Sequence, residues 1–461
     1  MSEMKKTPKL SENKMGTMPI GRLLVNMAVP LMISMLVQAM YNVVDSIYVS
    51  RISESAVTAL SLAFPIQNLL IGFSTGIGVG VNALLSKSLG EGNPDRANHS
   101  AGNGFLLVMI ATIGFMLFGV FGSRPYFQMQ SSVTETVEGG TQYLAICTIF
   151  SFGLFVQVLG ERLLQATGRS FYSMIVQLVG AVVNILLDPV FIFGYFDIPA
   201  MGVAGAAVAT VLAQWVAAAV ALVINHKCNH EVHLHFKYLK PNMSVIRPIL
   251  AVGIPSVVMM GIGSVMTFGM NKILFVFTPT ATAVFGAYFK IQSFVFMPIF
   301  GLNNGMVPII SYNYGAARPQ RVWKTIRLSN ITAMVIMVVG FTIFQLFPST
   351  LLELFDASET MLAIGVPALR IISVSFLLAG FCIIAGSVFQ AIGNPVYSLF
   401  VSVCRQMVVL LPVAWLLSRT GRLELVWWSF PIAEVMSFTL STIFLRRTVK
   451  SANEVMNSSA D

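Results

Sequence analysis

Four acidic residues stand inside long apolar stretches of this 461-residue sequence: Asp45, Glu161, Asp188 and Glu434. An ionised group in hydrocarbon costs on the order of a few kcal/mol or more, so each is a candidate for chemistry. Asn184 and Asp188 are four residues apart and share one helix face, and Gln177, seven before Asn184, continues it. Thr210 lies about two turns below the outer surface of the next apolar stretch and Asp45 near the outer end of the first, so both fall in the outer half. Asp45, Asn184, Asp188 and Thr210 thus gather in one half of the chain. Two carboxylates, an amide and a hydroxyl suit Na⁺, a hard cation that takes oxygen ligands. They suit a proton equally well, because two close carboxylates resist being charged together.

Other polar groups read less sharply. Glu161 and Arg162 suggest a local ion pair or an interfacial anchor, and Glu434 is a possible partner for Arg405. Lys272, Lys290 and Arg370 fall on the outer side of the second half. Lys290 and Arg370, with Gln38, Tyr41 and Gln177, are candidates for lining a cavity. Cys228, His230, His233 and His235 form a Cys-x-His-x-x-His-x-His cluster, a weak zinc candidate whose spacing matches no closed zinc motif. A solvated loop is the favoured reading, and no metal is expected. Cys147, Cys382 and Cys404 read as small apolar residues.

The elements that must position these groups are membrane spans. Hydrophobic residues make up 56% of the chain and charged ones 10%, with a mean hydropathy of +0.79. A water-soluble fold could not cover so much apolar surface. Apolar runs long enough to cross a bilayer occur at roughly 22–49, 57–85, 100–122, 140–163, 171–195, 202–225, 245–276, 282–310, 325–347, 360–388, 396–418 and 425–446. They are too long for barrel strands and do not alternate, and the first is too long for a cleavable signal. The net charge of +9 comes from 28 Lys and Arg against 19 Asp and Glu. With the N-terminus inside, only Arg51, Arg124, Arg419 and Arg422 fall outside, and Lys272, Lys290, Arg370 and Arg405 fall within spans. All the other basic residues are inside, which places both termini in the cytoplasm. The positive charge encodes topology, and nucleic acid is not expected as a partner. The expected organisation is a disordered cytoplasmic tail (1–21), an N-lobe (22–225), a cytoplasmic linker (226–244), a C-lobe (245–446) and a C-terminal tail (447–461).

The two halves repeat at an offset of 225. Pro30 pairs with Pro255, Ile66-Gln67 with Ile291-Gln292, and Gly80, Gly90, Pro94 and Arg96 with Gly305, Gly315, Pro319 and Arg321. Six spans per half is an even number, so the repeat is parallel, about an axis along the membrane normal. Two such bundles enclose a central cavity and permit alternating access. The acids break the repeat: Asp45, Asn184, Asp188 and Thr210 correspond to Met270, Val409, Val413 and Val435.

The stretches AVPLMISMLVQAMYNVVDSIYVSRI, NILLDPVFIFG, GVAGAAVATVLAQ and YFKIQSFVFMPIFGLNNGMVPIISYNYGA resemble the multidrug and toxic compound extrusion (MATE) family over essentially the whole chain. The resemblance implies an all-α protein of twelve helices in two lobes. It also implies export of organic cations and drugs in exchange for H⁺ or Na⁺, with no cofactor beyond the coupling ion. Asp45, Asn184, Asp188 and Thr210 match the cation site of the DinF-like branch, and Pro30 its first-helix hinge. The Glu and Asp that another branch carries in its seventh and tenth helices are absent. Within its branch the chain is similar to MepA-like exporters of Gram-positive bacteria, which implies a monomer in the bacterial inner (plasma) membrane that contributes to antibiotic resistance. A lipid or oligosaccharide flippase of the same superfamily is the alternative. The major-facilitator signature is not met between spans 2 and 3, and no catalytic loop supports an enzyme.

Overall fold

The computed structural model describes residues 13–233, 235–355 and 357–458. Ten helices and two bent helix pairs give twelve crossings. The first lobe holds α1 (Ile20–Ser50), α2 (Glu54–Gly90), α3 (Pro94–Phe121), α4 (Thr134–Ile149 with Phe152–Ala166), α5 (Ser170–Phe193) and α6 (Val203–Cys228). The second holds α7 (Met243–Phe275), α8 (Pro279–Gly315), α9 (Pro319–Leu346), α10 (Glu359–Ser373 with Phe376–Ile392), α11 (Pro395–Ser418) and α12 (Ser429–Ser458). The last helix continues past 446, where the apolar run ends, because its amphipathic extension buries Ala452 and Met456.

The lobes repeat in structure as in sequence. α2 and α8 start and end 225 residues apart, as do α3 and α9. Both bent pairs break within one residue of the same place in the repeat, by 46° and 51°. Ser151 and Ser375 there bond back three residues, to Thr148 and Ile372, so the helical ladder is interrupted. Even a side-chain bond is copied. Ser86 Oγ donates to the Ala166 carbonyl at 3.0 Å, and Ser311 Oγ to that of Ala391 at 2.9 Å. The repeat is broken at α11, where residues Cys404–Leu410 form a π-helical turn and the equivalent stretch of α5 stays α-helical.

Close backbone approaches between the lobes lie in the half of the bundle that carries the N-terminus. A Cβ on Gly76 would sit 2.7 Å from the Gly253 carbonyl oxygen, and one on Gly305 2.8 Å from the Ala28 Cα. Only residues without side chains let α2 lie this close to α7 and α8 to α1. Arg162 of α4 reaches across to Asn304 of α8, donating to its Oδ1 at 2.8 Å.

The N-terminal tail, expected to be disordered, is docked from Asn13 to Met18; residues 1–12 lie outside the described residues. Asn13 bonds the first lobe and the α6–α7 connection, through the Thr167 carbonyl (3.1 Å) and Glu231 Oε2 (2.6 Å). The carbonyls of Met15, Gly16 and Met18 accept from Asn313, Arg318 and Arg321 of the second lobe. Met15 is fully buried in the second lobe's core. One short apolar insertion and a set of capped carbonyls order a segment whose composition reads as polar.

Two predictions follow from this seam. Gly305→Leu overpacks it against main chain that cannot yield, which costs about 1–3 kcal/mol and forces the lobes apart. Spin labels placed across this face should report a longer distance than in the parent. The docked segment Asn13–Met18, a strap tied to both lobes, should also be pH-sensitive. Burial raises the proton affinity of Glu231, opposed by the Asn13 bond and the charges of Arg169, Lys14 and His230. Docking is then tightest while the carboxyl is protonated, and loosens as pH rises from the free value of 4.5 through the raised one. A nitroxide at Thr17→Cys should grow more mobile as pH rises above the free value of 4.5, and Glu231→Gln should abolish the change.

Candidate ion and substrate sites within the two lobes

In the first lobe, α1 turns Ser34, Gln38, Tyr41 and Asp45 to one face by three- and four-residue spacing, and α5 does the same with Gln177, Asn184 and Asp188. These faces meet. Gln177 Nε2 donates to Gln38 Oε1 at 2.7 Å and its Oε1 accepts from Ser34. Further along, Asn184 is 3% exposed and Asp188 0%. Asn184 Nδ2 reaches Asp188 Oδ1 at 3.3 Å and Thr210 Oγ1 at 3.4 Å. Turned over, the amide satisfies both ends: its nitrogen donates to Tyr41 (3.0 Å) and Asp188 Oδ2 (3.2 Å), and its oxygen accepts from the Thr210 N–H (3.2 Å). Asp45 lies within electrostatic range of both Asp188 and Tyr41. α1, α5 and α6 thus bring Asp45, Tyr41, Asn184, Asp188 and Thr210 into one nest with two carboxylates and no basic side chain among their described partners. Pro189 follows Asp188 inside α5 and leaves the Ile185 carbonyl without a helical donor.

The nest is larger than its sequence pattern. Gln67 of α2 donates to Tyr143 of α4 at 2.6 Å, within electrostatic range of Asp45. Its only sequence signal is the repeated Gln67–Gln292 pair. Glu161 and Arg162, by contrast, face different ways. Consecutive helical residues point about 100° apart. Gln157 bonds Glu161 at 3.0 Å, while Arg162 turns to Gln165 and Asn304. This Glu–Arg pair is thus divided between a within-helix bond and the seam between lobes.

The second lobe holds a different site. Arg405 donates to Glu434 Oε2 at 3.0 Å. The pair lines a cavity of about 210 Å³ walled by α7, α8, α10, α11 and α12. Lys290 and Arg370 do not line it. Both are exposed, Lys290 beside the Phe355 ring and Arg370 donating to the Gln345 carbonyl. Lys272 is exposed beside Phe268. Cys228, His230, His233 and His235 do not converge. Among the described residues no three His, Cys, Asp or Glu side chains could hold a metal ion. The segment is instead pinned by its main chain, with the His233 N–H on Asn98 and Val232 buried in the first lobe's core.

The family model MatE matches the chain twice, over residues 30–190 and 255–416, the same duplication that the helices display. A protein of Shewanella oneidensis named as an FAD transporter is 25% identical over 399 residues, covering 86% of this chain and 88% of that one. The multidrug export protein MepA of Staphylococcus haemolyticus is 25% identical over 422 residues, covering 90% and 91%. The solved outward-facing structure of a multidrug resistance MATE family transporter superposes with a TM-score of 0.90 at 23% identity, covering 98% of this chain and all of the other. With both lobes matched and the whole fold shared, the chain belongs to the MatE family, whose members are multi-pass membrane transporters and not enzymes.

Proposed function

We propose that this transporter is a multidrug efflux antiporter that exchanges H⁺ or Na⁺ for small organic, often cationic, drugs. The observation that carries the reading is the nest of Asp45, Tyr41, Asn184, Asp188 and Thr210, which the second lobe replaces with apolar residues. Buried acids without a basic partner are held at a cost that structure alone does not require. The relatives named as multidrug export proteins support drugs as the cargo, whereas the relative named as an FAD transporter carries a different one.

On this reading the chain works as a monomer in the bacterial plasma membrane, with 22–225 and 245–446 as its lobes, 226–244 as the linker and both tails cytoplasmic. The glycine seam and the strap then close the cytoplasmic face, and the protein stands outward-facing. H⁺ or Na⁺ enters from outside and neutralises the pair Asp45 and Asp188. The neutralised nest no longer holds α1 as it did, and α1 bends at Pro30, where the Asn26 carbonyl lacks its helical donor. The bend displaces drug, and the inward-facing state reloads. The cycle requires that drug and ion bind the two states with different affinity.

In proteoliposomes with imposed pH or Na⁺ gradients, wild-type protein should export a fluorescent cationic dye under one of the two. Asp45→Asn and Asp188→Asn should each lower that rate at least about tenfold, equivalent to about 1.4 kcal/mol of lost stabilisation. Wild-type rates in both variants would overturn the coupling site. Pro30→Ala restores a helical donor and stiffens α1. It should leave dye affinity within about twofold while slowing gradient-driven efflux several-fold.

A further inference from the structure

The repeat sets the second-lobe cavity opposite the acid nest. At the 225-residue offset, Met266 of its lining replaces Tyr41, Gln292 replaces Gln67, Arg405 replaces Gly180 and Glu434 replaces Ala209. The same place in the duplicated scaffold therefore carries bare carboxylates in one lobe and a guanidinium–carboxylate pair in the other. This pair is unequally placed. The Glu434 side chain is 5% exposed and the Arg405 side chain 33%. The acid sits behind, and the guanidinium presents itself to the cavity. Of its five N–H donors, one is used on Glu434 among the described hydrogen bonds.

Two further observations indicate that the pair is not closed on itself. Glu434 Oε1 is buried without a hydrogen-bond partner, its neighbour being the weakly donating Cys382 thiol. Arg405 also stands in the π-helical turn that departs from the repeat, a local widening that recurs at functional sites. The walls are aromatic: Tyr288, Phe289, Phe296 and Phe430 surround the pair. The volume, about 210 Å³, is below the ~300–1,000 Å³ usual for pockets that enclose whole drug-sized ligands, so it admits a ring system of one or two rings.

We infer that this cavity is a ligand site for a planar aromatic anion, whose ring stacks among the second-lobe aromatics and whose carboxylate or phosphate takes the free N–H donors of Arg405. The guanidinium offers a flat bidentate fork to such a group. Glu434 holds that fork in place from behind. A simple organic cation meets the guanidinium first and is repelled. The inference rests on the geometry of the second lobe and holds whether or not the first-lobe nest is the coupling site.

The test is equilibrium binding to purified full-length protein in lipid nanodiscs, with no gradient, of three probes of one shape: 2-naphthoate, 2-naphthamide and 2-naphthylmethylamine. Wild-type protein and Asp45→Asn/Asp188→Asn should both bind naphthoate at least about tenfold tighter than the amide, the gain expected of a charge-assisted bidentate contact, and should bind the amine most weakly. The double variant Arg405→Gln/Glu434→Gln removes both charges together and leaves neither partner stranded. Its naphthoate-to-amide preference should fall to about twofold or less. Ala379→Leu keeps the pair but fills the cavity, and should weaken all three probes together; it decides the matter if the double variant does not fold. Equal binding of the three probes, a preference for the amine, an anion preference that survives the double variant, or undiminished naphthoate binding in Ala379→Leu would overturn the assignment. Because no transport is measured, these outcomes are independent of the Asp45 and Asp188 efflux results.

Discussion

Inside a hydrocarbon layer a polar group has only the protein to bond with, and the rest of this structure follows from that constraint. It forces the backbone into helices that satisfy their own N–H and C=O groups. It turns hydroxyls back onto their own helices, as Thr112, Thr148 and Ser256 do to the carbonyls four residues earlier. It also makes each remaining polar side chain informative, because a partner beyond its own helix must come from a neighbouring one. Gln177 with Gln38, Asn68 with Ser264 and Arg162 with Asn304 are such pairs, the last two crossing between lobes.

The duplicated scaffold separates what builds the lobes from what they do. Glycines, prolines and the Ser86 and Ser311 hydroxyls recur at equivalent positions because both lobes need the same bends and close approaches. The four acids within the spans do not recur. One lobe keeps two acids in a nest of neutral hydrogen-bonding groups. The other keeps an ion pair behind aromatic walls, on a helix locally rewound to make room. A single duplicated geometry thus offers two environments of different polarity, one in each lobe.

Beside the Arg162–Asn304 bond, the seam between the lobes is held by two further kinds of contact that differ in how they release. The glycine contacts are van der Waals contacts between main chains and need only a small separation to be lost. The strap is tied by hydrogen bonds to both lobes, through Asn13 on one side and Asn313, Arg318 and Arg321 on the other, so separation of the lobes must break one set of ties. Lys14 also bonds Asn26, the residue whose carbonyl Pro30 leaves free. The docked tail is therefore tied directly to the turn of α1 that contains Pro30.

The number of spans, the parallel repeat and the one-sided acid cluster were legible in the sequence, because each is set by local composition: length of apolar run, spacing along a helix, identity of the rare polar residue. The Asn184–Asp188 face was legible for the same reason, since a four-residue spacing means the same thing in any helix. Tyr143 joining the nest, the docking of Asn13–Met18, the reach of Arg162 to Asn304 and the aromatic enclosure of Arg405 were decided only by the tertiary structure. Each depends on which helices lie side by side and how each is rotated about its axis. Those are properties of packing between residues far apart in the chain, and no local pattern encodes them.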